Sequence, residues 1–171
     1  VVGSKNLKAV AVRGTKKIPI EEGEKLAEMR KQFIRVAKEE RGPYWEYFTK
    51  YGTSGSTEML SLTGDSPCKN WTGAGSIDFL NAAKISDENV IKYQTRKYAC
   101  HGCPMACGGR VKIETGPYVL KGMKPEYETL ATFGTLCLND NLESIMFAND
   151  ICNRYGLDTI STGSIIAFAI E

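Results

Sequence analysis

A single histidine, His101, serves the whole chain of 171 residues, and that scarcity narrows the metal chemistry at once. Zinc sites are ordinarily built from two cysteine pairs, or from a cysteine pair with a histidine pair, and this sequence fits neither pattern well. Long apolar runs are also missing, so no segment reads as a membrane span, and no signal peptide is read. Charge of one sign is equally scarce. The 22 basic and 20 acidic residues leave a net charge of +2, with no basic stripe of the kind that nucleic acid demands. The expectation is therefore no nucleic-acid partner and no membrane partner. Six cysteines, three of them crowded together, point to a reducing compartment where thiols are kept for metal, with the cytoplasm as the default.

The chemistry that is present concentrates in Cys100-His101-Gly102-Cys103-Pro104-Met105-Ala106-Cys107. Thiolates are soft, charged donors suited to iron–sulfur clusters or zinc. Positions i, i+3 and i+7 share one face of a helical turn, so a helical reading lets three sulfurs converge on one object. Pro104 suits a first turn, and Gly108-Gly109 end the segment. A c-type haem site needs histidine directly after the second cysteine, where this chain has Pro104. A redox dithiol of Cys100 and Cys103 leaves Cys107 without a role. A cubane needs four ligands, so the fourth is either another cysteine of this chain or lies in sequence outside it. The plain alternative is three buried or disulfide-paired cysteines.

The rest of the chain reads as mostly helical with minor strand. Residues 8–13 are expected to form a strand, followed by a turn at Arg13–Lys17. Glu21 to Glu40 is the clearest helix, with Leu26, Met29, Phe33 and Val36 at helical spacing. Residues 51–76 are rich in Gly, Ser and Thr and read as loop with short turns. Ser86 begins a helix expected to reach about Lys97 and to deliver the chain to the cysteines. Val111–Glu114 alternates as a short strand, and Pro125 opens a helix over Glu126–Leu130. Asp140 with Glu143 marks another helix start. That helix turns Leu142, Ile145, Met146 and Cys152 inward and stops at Gly156, after which Asp158 begins a last helix. Both ends read as cut within structured sequence, so an internal fragment is expected.

Two polar constellations accompany the cysteines. Glu126 and Glu128 follow them within about twenty residues, and a carboxylate near a metal centre can move protons. A solvated first turn, where acids favour the helix dipole, is the simpler account. Asn153-Arg154-Tyr155-Gly156-Leu157-Asp158 flanks a helix-ending glycine with polar groups that can face one ligand, or can simply cap two helices.

Together these stretches resemble the tungsten-dependent aldehyde:ferredoxin oxidoreductase family. Gly3–Gly14 is similar to the end of that family's N-terminal, pterin-binding domain, and Ala99–Cys107 to its cluster-binding segment. Pro125-Glu126-Tyr127-Glu128-Thr129 and Gly156-Leu157-Asp158-Thr159-Ile160-Ser161-Thr162-Gly163 resemble two further characteristic stretches, in the right order. The resemblance implies that residues 1–18 end the N-terminal domain and residues 19–171 belong to a helical middle domain. It implies a tungsten held by two molybdopterins, with molybdenum as the alternative metal, beside a [4Fe–4S] cluster. Cys100, Cys103 and Cys107 correspond to three cluster ligands, with the fourth beyond Glu171. Glu128 corresponds to the proton-handling glutamate, Glu126 being the alternative. Asn153, Gly156, Leu157 and Asp158 correspond to a pterin-binding signature that ordinarily begins with an acid. An amide at Asn153 keeps one acceptor oxygen but loses the charge.

The implied reaction is oxidation of a small aldehyde to a carboxylic acid, with electrons passed through the cluster to ferredoxin. A benzoyl-CoA reductase type of subunit shares the fold and ligands, and a non-catalytic zinc or iron–sulfur module is the reading from another class. Some members of the family bridge two subunits through a metal on a Glu-x-x-His pattern. This chain has Phe147-Ala148-Asn149-Asp150 there, so no such bridge is expected, and a homodimer would need other surfaces. As isolated, the fragment is expected to be inactive.

Overall fold

The computed structural model describes residues 2–171. The chain divides into two compact units, Val1–Val36 and Ala37–Glu171. In the first, a short 3-10 turn at Gly3–Lys5 leads into exposed chain, and residues 8–13, expected as a strand, form no ladder. A strand needs a neighbour to satisfy its backbone, and the described residues of this unit supply none. Helix α1, Gly23–Tyr51, begins here, as its apolar periodicity requires. Leu26, Met29 and Phe33 are nonetheless 52%, 58% and 59% exposed. Periodicity decides which side chains share a face, not what covers it.

Within the second unit α1 is broken at Arg41, whose φ of −128° and ψ of 27° are not helical, two residues before Pro43. The residue before a proline and those nearby are pushed out of helical geometry. The expected loop at 51–76 is more ordered than its composition suggested. It holds a 3-10 turn at Thr53–Ser56, helix α2 at Thr57–Thr63 and a single turn, α3, at Gly75–Asp78. Buried hydroxyls supply the order: Thr57 Oγ1 donates to the Ser54 carbonyl at 2.9 Å, and Ser86 Oγ donates to Gly55 at 3.1 Å.

The helix expected over 86–97 stops early. Helix α4 covers only Asp87–Ile91, and Gln94–Tyr98 becomes strand β1. Strand β1 pairs antiparallel with β2, Gly108–Ile113, which pairs with β3, Leu120–Met123. Thr95 and Tyr98 favour the extended form, and the waiting edge of β2 outweighs a weak helix. Strand β2 alternates, with Val111 and Ile113 buried and Arg110 and Lys112 exposed, as a sheet with one wet face requires.

The inner face of the sheet packs against α5, Tyr127–Phe133, and α6, Leu142–Tyr155, around Leu130, Ile145 and Met146, each fully buried. Leu142 and Cys152 also point inward and Gly156 ends α6 in the left-handed conformation, as read from the sequence. The start of α6 differs by one residue. Asn141, not Asp140, accepts from the Ser144 N–H at 3.1 Å, because Asp140 is engaged by Lys84 at 2.6 Å. Helix α7, Thr159–Ile170, crosses α5 so closely that a methyl group on Gly163 would lie 2.6 Å from Thr132 Cβ. The architecture is mostly α-helical with one small antiparallel sheet. No helix among the described residues is long and apolar enough to cross a membrane.

Candidate functional site

Residues 99–107 join β1 to β2, so the three cysteines sit on a hairpin connection and not on the helical turn that their spacing predicted. Gly102 and Ala106 adopt left-handed backbone, φ 71° and 50°, which a helix cannot accommodate. A turn is closed where the Cys103 N–H donates to the Cys100 carbonyl at 3.0 Å. All three thiols are free, Cys100 exposed and the other two half-buried.

They share one electrostatic neighbourhood. Burial raises the Cys107 thiol first, with the negative charge of Glu126 and the nearby Cys103 adding to the effect. Burial likewise raises the Tyr98 phenol, again with Glu126 behind it and then Cys100 and Cys107. Among the described residues no three Cys, His, Asp or Glu groups close around a single metal ion. Three thiols on one loop make a soft donor set of the kind that binds an iron–sulfur cluster or zinc.

Lys124 anchors the exit of this loop. Its side chain is buried, 3% exposed, and its amine donates to the Cys107 carbonyl at 2.9 Å and to the Tyr51 carbonyl at the end of α1. Burial lowers its pKa, against the opposing charges of Glu126 and Cys107. Gly52, at φ 71°, makes room for this contact. A Cβ there would lie 2.8 Å from both the Cys107 oxygen and Lys124 Nζ.

Next to the loop, a cleft of about 390 Å³ is lined by Tyr98, Met123 and Lys124, by Glu126, Glu128 and Thr129, and by Asn149, Asn153, Thr159 and Ile160. It brings together the two expected carboxylates and Asn153, which are separate in sequence. The carboxylates differ. Glu126 is half-buried and accepts from Thr53 Oγ1, which in turn accepts from the Tyr127 N–H at 2.9 Å. Glu128 is exposed in the first turn of α5; its backbone carbonyl accepts from Thr132 Oγ1 at 2.8 Å, while its carboxylate has no hydrogen-bond partner among the described residues. Asn153 donates to Asn149 Oδ1 at 3.3 Å, and Asn149 is itself fixed by donating to the Met123 carbonyl at 3.0 Å.

Gly156, Leu157 and Asp158 do not line the cleft. Gly156 caps α6 and Leu157 is exposed. Asp158 caps α7, accepting from the Ser161 N–H at 2.7 Å, and that bond holds its carboxyl below the usual carboxylate range. Thr159 and Ile160, immediately after it, form the wall instead. The sequence reading missed Tyr98, Lys124, Asn149 and Thr53. A lysine between Met123 and Pro125 was the one visible signal, since a cation amid apolar neighbours calls for partners.

The chain matches the sequence model of a family described as aldehyde ferredoxin oxidoreductase, domains 2 and 3, over residues 28–171. It is 36% identical over 174 residues to the tungsten-containing aldehyde ferredoxin oxidoreductase of Pyrococcus furiosus and 38% identical over 174 residues to that of Thermococcus kodakarensis. It is 30% identical over 181 residues to an aliphatic sulfonate oxidoreductase, WOR-like subunit, also from Pyrococcus furiosus. Each alignment takes in 100% of this chain and 27% of the relative.

Proposed function

The chain belongs to the aldehyde ferredoxin oxidoreductase family, and on that premise we propose that it forms part of a tungstopterin enzyme oxidising aldehydes to carboxylic acids. Residues 1–18 then end a pterin-binding domain, and residues 19–171 form the middle domain. Cys100, Cys103 and Cys107 supply three ligands of a [4Fe–4S] cluster, and the fourth comes from sequence outside this chain. When bound, the tungstopterin would supply two-electron redox chemistry and the cluster one-electron chemistry, with ferredoxin as the acceptor.

The chain's own groups position and move protons. Glu128 takes the proton of the water that adds to the aldehyde carbonyl, because its carboxylate faces the cleft with both oxygens uncommitted. Glu126 is the alternative, but its bond from Thr53 suits a fixed negative charge better than a proton carrier. Asn153 offers an amide oxygen to the pterin's N–H groups. Gly156, Leu157 and Asp158 act beside it by fixing the turn between α6 and α7. Phe147, where a bridging metal ligand would stand, packs against the Tyr118 ring with centroids 5.8 Å apart, and we infer no shared metal there.

The observation that carries this reading is the single cleft holding Glu126, Glu128 and Asn153, with Tyr98 linking it to the thiol loop. A second reading, sulfonate oxidation, draws on the 30% relative; the 36% and 38% relatives favour aldehydes. The test uses the full-length protein purified anaerobically. Iron, labile sulfide and tungsten are expected, together with aldehyde-dependent viologen reduction. Glu128→Gln is expected to keep its metals and lose about 10²–10⁴-fold in turnover. Zinc without labile sulfide would overturn the proposal.

A further inference from the structure

The wet face of the sheet carries positive charge that the fold does not need. Arg96 on β1 lies directly opposite Arg110 on β2, and Lys112 on β2 lies directly opposite Lys121 on β3. All four are exposed. Directly opposed residues have Cβ atoms only about 4.5–5.5 Å apart, where like charges destabilise the sheet. Among the described residues one ion pair relieves this, Lys112 with the exposed Glu114. Arg96, Arg110 and Lys121 have none. A chain of net charge +2 has thus concentrated cations at the positions where they oppose folding.

The placement is also particular. Strands β1 and β2 are the two arms of the hairpin that ends in the thiol loop. Arg110 follows Cys107 by three residues, about 10 Å along an extended strand, and Arg96 precedes Cys100 by four. A partner seated on this face lies alongside the loop that holds Cys100, Cys103 and Cys107.

We propose that Arg96, Arg110, Lys112 and Lys121 form the docking face for an acidic one-electron carrier protein of the ferredoxin class. The proposal rests on the cysteines being cluster ligands, since that gives the carrier a reason to dock there. Complementary charge steers such a carrier onto the face and fixes its register, and arginine suits an interface that must come and go. Glu114 sits at the rim and limits how far the carrier reaches along β2.

The test exploits the like-charge pairs. Arg110→Glu places an acid opposite Arg96, and Lys121→Glu places one opposite Lys112, so each substitution relieves repulsion within the sheet while removing charge from the docking face. The full-length protein, purified anaerobically with its metals, is titrated with a purified acidic [4Fe–4S] ferredoxin by calorimetry at low and moderate salt. Each variant is expected to raise the dissociation constant about tenfold and to flatten its salt dependence. The urea midpoint should hold or rise, and iron content and viologen reduction should be unchanged. Lys121→Glu carries the same expectation if Arg110→Glu fails to fold.

Unchanged ferredoxin affinity in both variants overturns the proposal. So does absence of ferredoxin binding by the unmodified protein, loss of iron from the variants in place of lost affinity, or tighter binding of a single-stranded oligonucleotide than of ferredoxin. Iron and sulfide analysis of the same samples judges the cluster assignment separately, because binding is read directly and not through turnover.

Discussion

Residues 99–107 and residues 126–163 both carry groups proposed for one site, yet they are held in opposite ways. The thiol loop is exposed or half-buried, includes left-handed turns at Gly102 and Ala106, and is fixed mainly at its exit by Lys124. The helical wall is built into the core. Thr129 to Phe133 are all buried, α7 lies against α5, and Asn153 is held through Asn149 to β3. Groups that move protons or accept specific hydrogen bonds need fixed positions, and rigid elements give them. Metal donors can be left loose, because binding the metal itself supplies the ordering free energy.

The sharpest way to break this contrast is to cut the wall. Leu130→Ala removes a fully buried side chain from the centre of α5 and is expected to cost about 2–5 kcal/mol, read as a lowered urea midpoint. Gly163→Ala should follow at about 1–3 kcal/mol, because the added methyl meets Thr132 at 2.6 Å and forces α7 away from α5. Its second readout is a weakened Glu128-dependent turnover, as Thr159 shifts in the cleft wall.

The loop should respond in the reverse sense. Cys103→Ser is expected to leave the metal-free protein within about 0.5 kcal/mol of the parent while abolishing iron retention, measured by metal analysis after anaerobic reconstitution. A large stability loss in metal-free Cys103→Ser would show that the loop is packed after all.

The smallest expected effect is acidic. The Ser161 N–H holds the Asp158 carboxyl below its ordinary value. Its stabilisation of the α7 start is therefore complete above the unfolded carboxylate pKa of about 3.9 and is lost as pH falls through the depressed folded value. Asp158→Asn keeps the cap but should flatten the acid limb of the stability profile below about pH 4.

The sequence revealed most where a single local rule had no competitor. The inward face of α6, its stop at Gly156, the Asp158 cap and the alternation of β2 all follow from spacing or one capping residue, and all are found. It misled where the answer depended on a distant partner. Strand β1 exists because β2 offers an edge, and α2 because Ser54 and Ser86 satisfy buried groups around it. The thiol spacing was visible but its conformation was not, because i, i+3, i+7 is compatible with a helix and equally with a folded hairpin tip. Glu126 and Glu128 were legible as a pair; what separates them, the bond from Thr53, spans 73 residues and left no trace in local sequence.

Lys124 also sets an order of events in time. It joins the Cys107 carbonyl, 17 residues away, to the Tyr51 carbonyl, 73 residues away, and contacts between distant parts of a chain close late. The β1–β2 hairpin can form from nearby residues alone, so its thiols stand open to incoming iron and sulfide before the amine arrives. Assembly then ends with a latch: once the end of α1 docks, Lys124 is sealed between the two carbonyls and the exit of the loop is fixed, while its thiols stay at the surface. With Cys100 exposed and Cys103 and Cys107 half-buried in the finished fold, loading should not have to wait for that latch to open, and metal added to the folded protein should enter as readily as metal met during synthesis.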